Sequence, residues 1–190
     1  MRILALVEDL SKHSVSYNLA NYCIDLFEKT QVDMVDLKDF DSENVNDNIT
    51  FKIEELASKI ERVDLILISL DAGNLTFDSI CNRLSNNKPF GVKPIFSLII
   101  SAEKSIGGVV LNSIQSRIDK RGIVHLETFI LPSNDYNFNK AEISSVKNKL
   151  ELIQKINNVK YNYFKAHYKD NSFTCGIDPT KDDCGDAREY

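Results

Sequence analysis

Several things are missing from this chain of 190 residues, and each absence removes a class of protein. No apolar run approaches the roughly 20 residues that cross a bilayer as a helix. The first residues, Met1 to Val7, carry one Arg and read as a strand rather than a secretory leader. Both absences lead to the expectation of a cytoplasmic protein. Basic charge is in deficit: the formal net charge is −5, against the basic face of a general nucleic-acid binder. Gly-x-x-x-x-Gly-Lys and Gly-x-Gly-x-x-Gly do not occur, which removes support for a phosphate-loop NTPase and a dinucleotide-binding domain. Gly-x-Ser-x-Gly is absent too, so there is no nucleophile elbow. His13, His125 and His167 lack the spacing of a metal set, and no metal site is expected. His125, inside an expected strand, reads as a hydrogen-bonded core or edge residue. No internal repeat or low-complexity segment is seen.

Hydrophobic residues make up 43% of the chain, enough for a sizeable core without staples. They fall into alternating patterns. Short apolar runs read as buried strands at Ile3–Val7, Val63–Leu70, Ile95–Ser101 and Ile123–Leu131. Val32–Leu37 alternates apolar with acidic residues and reads as an outer strand with one wetter face. Helical spacing follows each strand: Leu19, Cys23, Leu26 and Phe27; then Ile53, Leu56, Ala57 and Ile60. Residues 76–86 form an expected third helix. Val110, Leu111, Ile114 and Ile118 mark the fourth, after a loop from Ala102 to Gly108. Ile143, Val146, Leu150 and Ile153 mark the last, starting near Lys140. Five strands alternating with five helices imply right-handed parallel crossovers. The expected fold is α/β: a flavodoxin-like, doubly wound, five-stranded parallel sheet in the order 2-1-3-4-5. Helices cover both faces. Residues 1–155 are expected to form this domain, and 156–190 a C-terminal helical extension and Cys-containing tail.

In such sheets ligands lie beyond the carboxyl ends of the strands, where strand order reverses. Three turns fall there: Glu8 to Ser14, Asp71 to Leu75, and Ala102 to Gly108. The first joins a strand to a helix through Ser11, Lys12 and Ser14, with Ser16 just inside. The first N–H groups of a helix lack partners within it, and the dipole is positive there. That end suits a phosphate; the residues fit equally a turn in which Ser11 or Ser14 is only the helix cap.

The three turns together resemble the NADPH-dependent FMN reductases, flavodoxin-like oxidoreductases related to quinone and azo-dye reductases. Their first turn commonly reads Ser-x-Ser-Lys-x-Ser-x-Asn or Ser-x-Arg-x-x-Ser-x-Asn. Here it is Asp9-Leu10-Ser11-Lys12-His13-Ser14-Val15-Ser16, in which Asp9 and Ser16 depart. Their second turn carries Glu-Tyr-Asn-Gly or Glu-His-Asn-Gly. Here Ser69-Leu70-Asp71-Ala72-Gly73-Asn74-Leu75 keeps Ser69 and Asn74. Their third is Ser-x-Gly-Gly-x-x-Gly, against Ser101-Ala102-Glu103-Lys104-Ser105-Ile106-Gly107-Gly108 here. Lys93-Pro94 and Leu131-Pro132-Ser133 also fit, and the resemblance covers about residues 1–150.

The resemblance implies FMN as cofactor, NAD(P)H as co-substrate, and a quinone, flavin or other small acceptor. The first turn would hold the phosphate and the other two the ring. Ser11, Lys12, Ser14 and Asn74 carry over by identity. Ser16, Asp71, Gly73, Ser101, Gly107 and Gly108 lie in the same turns and complete the candidate flavin-binding set. No catalytic side chain is implied, because a flavin carries the hydride chemistry itself. Asp9 would repel a phosphate unless it faces solvent or Lys12 compensates it. The alternative reading is a flavin-free binding or scaffold protein. Tyr161, Tyr163, Phe164, Tyr168 and Phe173 cluster near the end. They would either cover their own sheet edge or join a second subunit in a homodimer. Cys175 and Cys184 in the tail read as free or redox-active thiols.

Overall fold

A computed structural model describes residues 1–28, 30–40, 47–72, 93–119, 125–137, 140 and 142–168. The elements are β1 (Arg2–Val7), α1 (Val15–Asp25), β2 (Gln31–Asp36), α2 (Asp47–Arg62), β3 (Leu65–Asp71) and β4 (Ile95–Ser101). They continue with α3 (Lys104–Asp119), β5 (His125–Pro132), the two-residue strands β6 (Tyr136–Asn137) and β7 (Glu142–Ile143), and α4 (Val146–Tyr168). A short 3₁₀ turn, Leu37–Phe40, follows β2, and another, Ser133–Asp135, follows β5. The expected helix at 76–86 lies outside the described residues, as do Gly73, Asn74, Cys81, Cys175 and Cys184.

The main sheet has the order β2-β1-β3-β4-β5, and all its pairings are parallel, as the alternation of elements predicted. β1 lies inside the sheet between β2 and β3, and its side chains alternate between the two faces, as a period of two requires. Leu4 and Leu6 pack with Ile66 and Ile68 against Leu56 and Ile60 of α2. Ile3, Ala5 and Val7 pack with Leu67 and Phe96 against α1 and α4, through Leu19, Cys23, Leu152, Ile156 and Val159. β3 is buried over its first six residues and β4 throughout, because helices cover both faces. β2 is half-exposed along its length, as its acidic alternation suggested.

Two boundaries differ from the sequence expectation. α3 begins at Lys104, so the loop after β4 is only two residues long and Gly107 and Gly108 are helical. α4 begins at Val146 rather than near Lys140, because Tyr136 and Asn137 pair with Ile143 and Glu142 in a small antiparallel hairpin. Strands of two residues are too short to leave a periodic signal. Asp135 ties this hairpin to α4. Its carbonyl accepts the Ser144 N–H at 2.7 Å, and its carboxylate accepts from the buried Asn148 side chain at 2.7 Å. α4 runs from Val146 to Tyr168, and its Ile156 and Val159 lie in the core.

Candidate functional site

The carboxyl ends of β1 and β3 lie side by side, with Val7 paired to Ser69. β1 leads outward to β2 on one side, while β3 continues the sheet toward β4 on the other. The reversal therefore opens at the first turn, where a crevice for a ligand is expected.

Ser14 is the N-cap of α1. Its backbone is extended, and its Oγ accepts the Tyr17 N–H at 3.3 Å. The same Oγ lies 2.7 Å from the Ser16 hydroxyl. Ser14 also donates its N–H to the Ser11 carbonyl at 3.0 Å, which closes the turn. Asn18 braces it from within the helix, donating from Nδ2 to the carbonyls of Lys12 (3.1 Å) and Ser14 (2.9 Å). Ser11, Lys12 and His13 are exposed; Ser14 is half-buried and Ser16 buried. Four predicted residues, Ser11, Lys12, Ser14 and Ser16, thus share one turn at the positive end of a helix.

The other predicted residues are placed differently. Asp71, at the end of β3, is exposed and donates its N–H to the Glu8 carboxylate at 2.5 Å. Ser101 is buried, and its hydroxyl donates to the Glu103 carbonyl at 2.6 Å, inside its own turn. Gly107 faces β5: a Cβ there would stand 2.5 Å from Cγ2 of Ile130. Its need for glycine comes from helix–strand packing. Gly108 has open space around it. Gly73 and Asn74 fall outside the described residues.

The charge balance of the first turn turned out otherwise than expected. Asp9 is compensated by Lys38, from the 3₁₀ turn after β2, and not by Lys12: the Lys38 Nζ to Asp9 Oδ2 distance is 2.6 Å. Asp9 Oδ1 accepts the Ser11 N–H at 2.8 Å. Lys38, then Ser11, hold the Asp9 carboxyl below the usual carboxylate range. Asp9 in turn raises the Lys38 ammonium. Asp36, the last residue of β2, accepts the Leu10 N–H at 3.1 Å and the Lys38 N–H at 2.9 Å. Backbone N–H groups of Leu10, Ser11 and Asp71 therefore rest on carboxylates of the chain itself. Glu8, Asp36 and Lys38 escaped the sequence reading because partners 26 to 63 residues apart leave no local pattern.

The donor set suits a phosphate monoester through the helix end, the Ser11 hydroxyl and Lys12; Asp9 opposes one. Beside the turn lies a cavity of about 220 Å³ lined by Leu10, Met34, Asp36, Phe40, Lys52 and Leu56. It is smaller than the roughly 300–1,000 Å³ of typical ligand pockets. Among the described residues no cluster of His, Cys, Asp and Glu is arranged to hold a metal, and no helix is long and apolar enough to cross a membrane. Cys23 is buried and free, and burial pushes its thiol up, which makes it unreactive.

The family model of the NADPH-dependent FMN reductases matches residues 1–71, from β1 through the first turn to the end of β3. The match covers that stretch, and the likeness to the NADPH-dependent FMN reductases in sequence is confined to it. The match takes in the Ser14-capped turn and the Asp9–Lys38 pair, so both belong to the part of the chain that carries the family likeness. No curated protein matches in sequence. Among solved structures, the chain is similar to FerB, a flavoenzyme NAD(P)H:(acceptor) oxidoreductase from Paracoccus denitrificans. The identity is 14% and the TM-score 0.63, over 87% of this chain and 98% of that one. It is likewise similar to an azoreductase from Bacillus anthracis (14%, TM-score 0.63, covering 83% and 99%). The apo form of the NADH:FMN oxidoreductase EMOB gives 15% and 0.65, covering 85% and 89%. At these identities the likeness is one of fold, and a flavodoxin-like architecture extends over most of the chain.

Proposed function

We propose that this chain belongs with the NADPH-dependent FMN reductases and is an NAD(P)H-dependent oxidoreductase that takes FMN at the carboxyl ends of β1 and β3. It would pass electrons to a quinone, a flavin or another small acceptor. The observation that carries this reading is the Ser14-capped N-terminus of α1, set at the strand-order reversal and inside the matched stretch. Ser11, Lys12 and the first turn of α1 would hold the phosphate. Ser16 and Asp71 border the same crevice, with Gly73 and Asn74 next in the chain. Bound flavin supplies the hydride chemistry, so the protein's task is to bind and orient it. Ser101, Gly107 and Gly108 have a weaker part in this reading, since Ser101 is held within its turn and Gly107 packs on Ile130.

A homodimer is part of the reading. Val146, Leu150, Tyr161 and Phe164 of α4 are large apolar side chains left exposed, and a second copy would cover them. Sedimentation of the purified chain as a monomer would remove this part.

The test of the site is Ser14→Asp. Aspartate caps helices as well as serine does, so the fold should persist. Its charge would stand against the phosphate, and FMN retention should be lost. Unchanged FMN occupancy in that variant would exclude the first turn as the phosphate site. A flavin-free binding protein is the second reading, favoured by the carboxylates of Glu8, Asp9 and Asp36 on the N–H groups of the crevice. A purified protein without flavin absorbance, and without thermal stabilisation by added FMN, would select it.

A further inference from the structure

Asp9 opens the first turn, at a position where the motif of the resembling reductases commonly has Ser. Its two oxygens are both engaged: Oδ1 with the Ser11 N–H at 2.8 Å and Oδ2 with Lys38 Nζ at 2.6 Å. A backbone donor of the phosphate turn and a nearby cation are thus already used by an anion of the chain itself. Their neighbours share the pattern, Leu10 N–H with Asp36 and Asp71 N–H with Glu8.

An incoming phosphate cannot share the Ser11 N–H with Asp9, and two anions that close repel each other. The resident contact is nevertheless weak enough to exchange. The Asp9 and Lys38 side chains are 27% and 55% exposed, and an ion pair in contact with water is readily traded for another.

We propose that Asp9 is a built-in competitor for phosphate on this turn. It holds the Ser11 N–H and Lys38 until a phosphate displaces it, which makes the flavin an exchangeable ligand rather than a firmly resident one. This rests on the reading of the turn as a flavin-phosphate site. No bond is made or broken in the exchange: the carboxylate swings off Ser11, and Lys38 turns from Asp9 to the phosphate. Lys38 is the cation that faces Asp9, and Asp36 and Glu8 are the other charges that act on Lys38. An aspartate is ionised at neutral pH, so the competition persists there.

Binding of FMN, riboflavin and inorganic phosphate to wild type, Asp9→Ala and Asp9→Asn tests this. Fluorescence titration reads the flavins, and thermal shift reads phosphate. Wild type should bind FMN and riboflavin about equally, within roughly threefold. Asp9→Ala should bind FMN about tenfold more tightly with riboflavin unchanged. Inorganic phosphate should stabilise that variant and not wild type. Asp9→Asn loses the charge yet keeps an oxygen for the Ser11 N–H, so it should fall between the two. Equal FMN affinity in wild type and Asp9→Ala, with no phosphate effect on either, would overturn the competitor. So would a wild type that already prefers FMN over riboflavin by about tenfold or more. If phosphate stabilises Asp9→Ala while neither flavin binds any of the three, the competitor stands and the flavin reading falls.

Discussion

The hydroxyl of Ser69, at the end of β3, donates to the main-chain carbonyl of Ser16, in the first turn of α1, at 2.8 Å. Both residues are buried. This bond fastens the helix end that carries the candidate phosphate site to the strand on the other side of the crevice. Ser69→Ala should cost about 1 kcal/mol, the net worth of a typical buried hydrogen bond. It should also loosen α1 against β3. Chemical denaturation gives the first, and amide exchange at Ser16 and Tyr17 the second. Exchange rates unchanged at both positions would show that packing alone holds the helix end.

The two adjacent glycines of α3 should respond with opposite signs. A Cβ on Gly107 would meet Ile130 Cγ2 at 2.5 Å, so Gly107→Ala must push α3 off β5 and should destabilise by about 1–3 kcal/mol. Gly108 has nothing within 4 Å, so Gly108→Ala should stabilise the helix by about 0.5–1 kcal/mol. Urea midpoints of the pair measure both. A Gly107→Ala protein as stable as wild type would show that β5 can yield there.

The Asp9–Lys38 pair should show itself on the acid side of neutrality. The folded pKa of Asp9 is lowered, so its contribution to stability is complete above the unfolded value of about 3.9. It is lost as pH falls through the lowered folded value. The stability difference between wild type and Asp9→Asn should therefore be constant near neutrality and vanish in strong acid. The effect is small because the pair is exposed. A difference that instead grows as pH falls would contradict the assignment of Lys38 as the partner.

At the other end of the sheet, Tyr163 of α4 donates its hydroxyl to the Asp64 carboxylate at 3.3 Å, and the Arg2 N–H shares the same oxygen at 2.8 Å. Tyr163→Phe should cost between about 0.5 and 1.5 kcal/mol and leave the fold intact. Truncation after Lys160 removes Tyr163 but keeps Ile156 and Val159 in the core. The truncated chain should fold with reduced stability and, if α4 joins two subunits, sediment as a monomer. A stable dimer of the truncated chain would clear the end of α4 from any interface.

The order of the sheet, the wet outer β2, and the buried β3 and β4 follow from residues close together in the chain. Periods of two and 3.6 are local properties, and strict alternation of strand and helix leaves few parallel topologies. Ser14 as a cap was legible for the same reason, since a cap and its N–H lie three residues apart. Tertiary structure decided what those local patterns were silent about. It chose Lys38 over Lys12 as the partner of Asp9, although Lys12 is nearer in sequence, because β2 lies beside β1 and delivers the following turn to the first. It set Gly107 against Ile130, so that α3 packs closely on β5 there. It also placed three carboxylates on the N–H groups of the crevice. The energy of such contacts depends on distances between segments far apart in the chain, and only the folded sheet sets those distances.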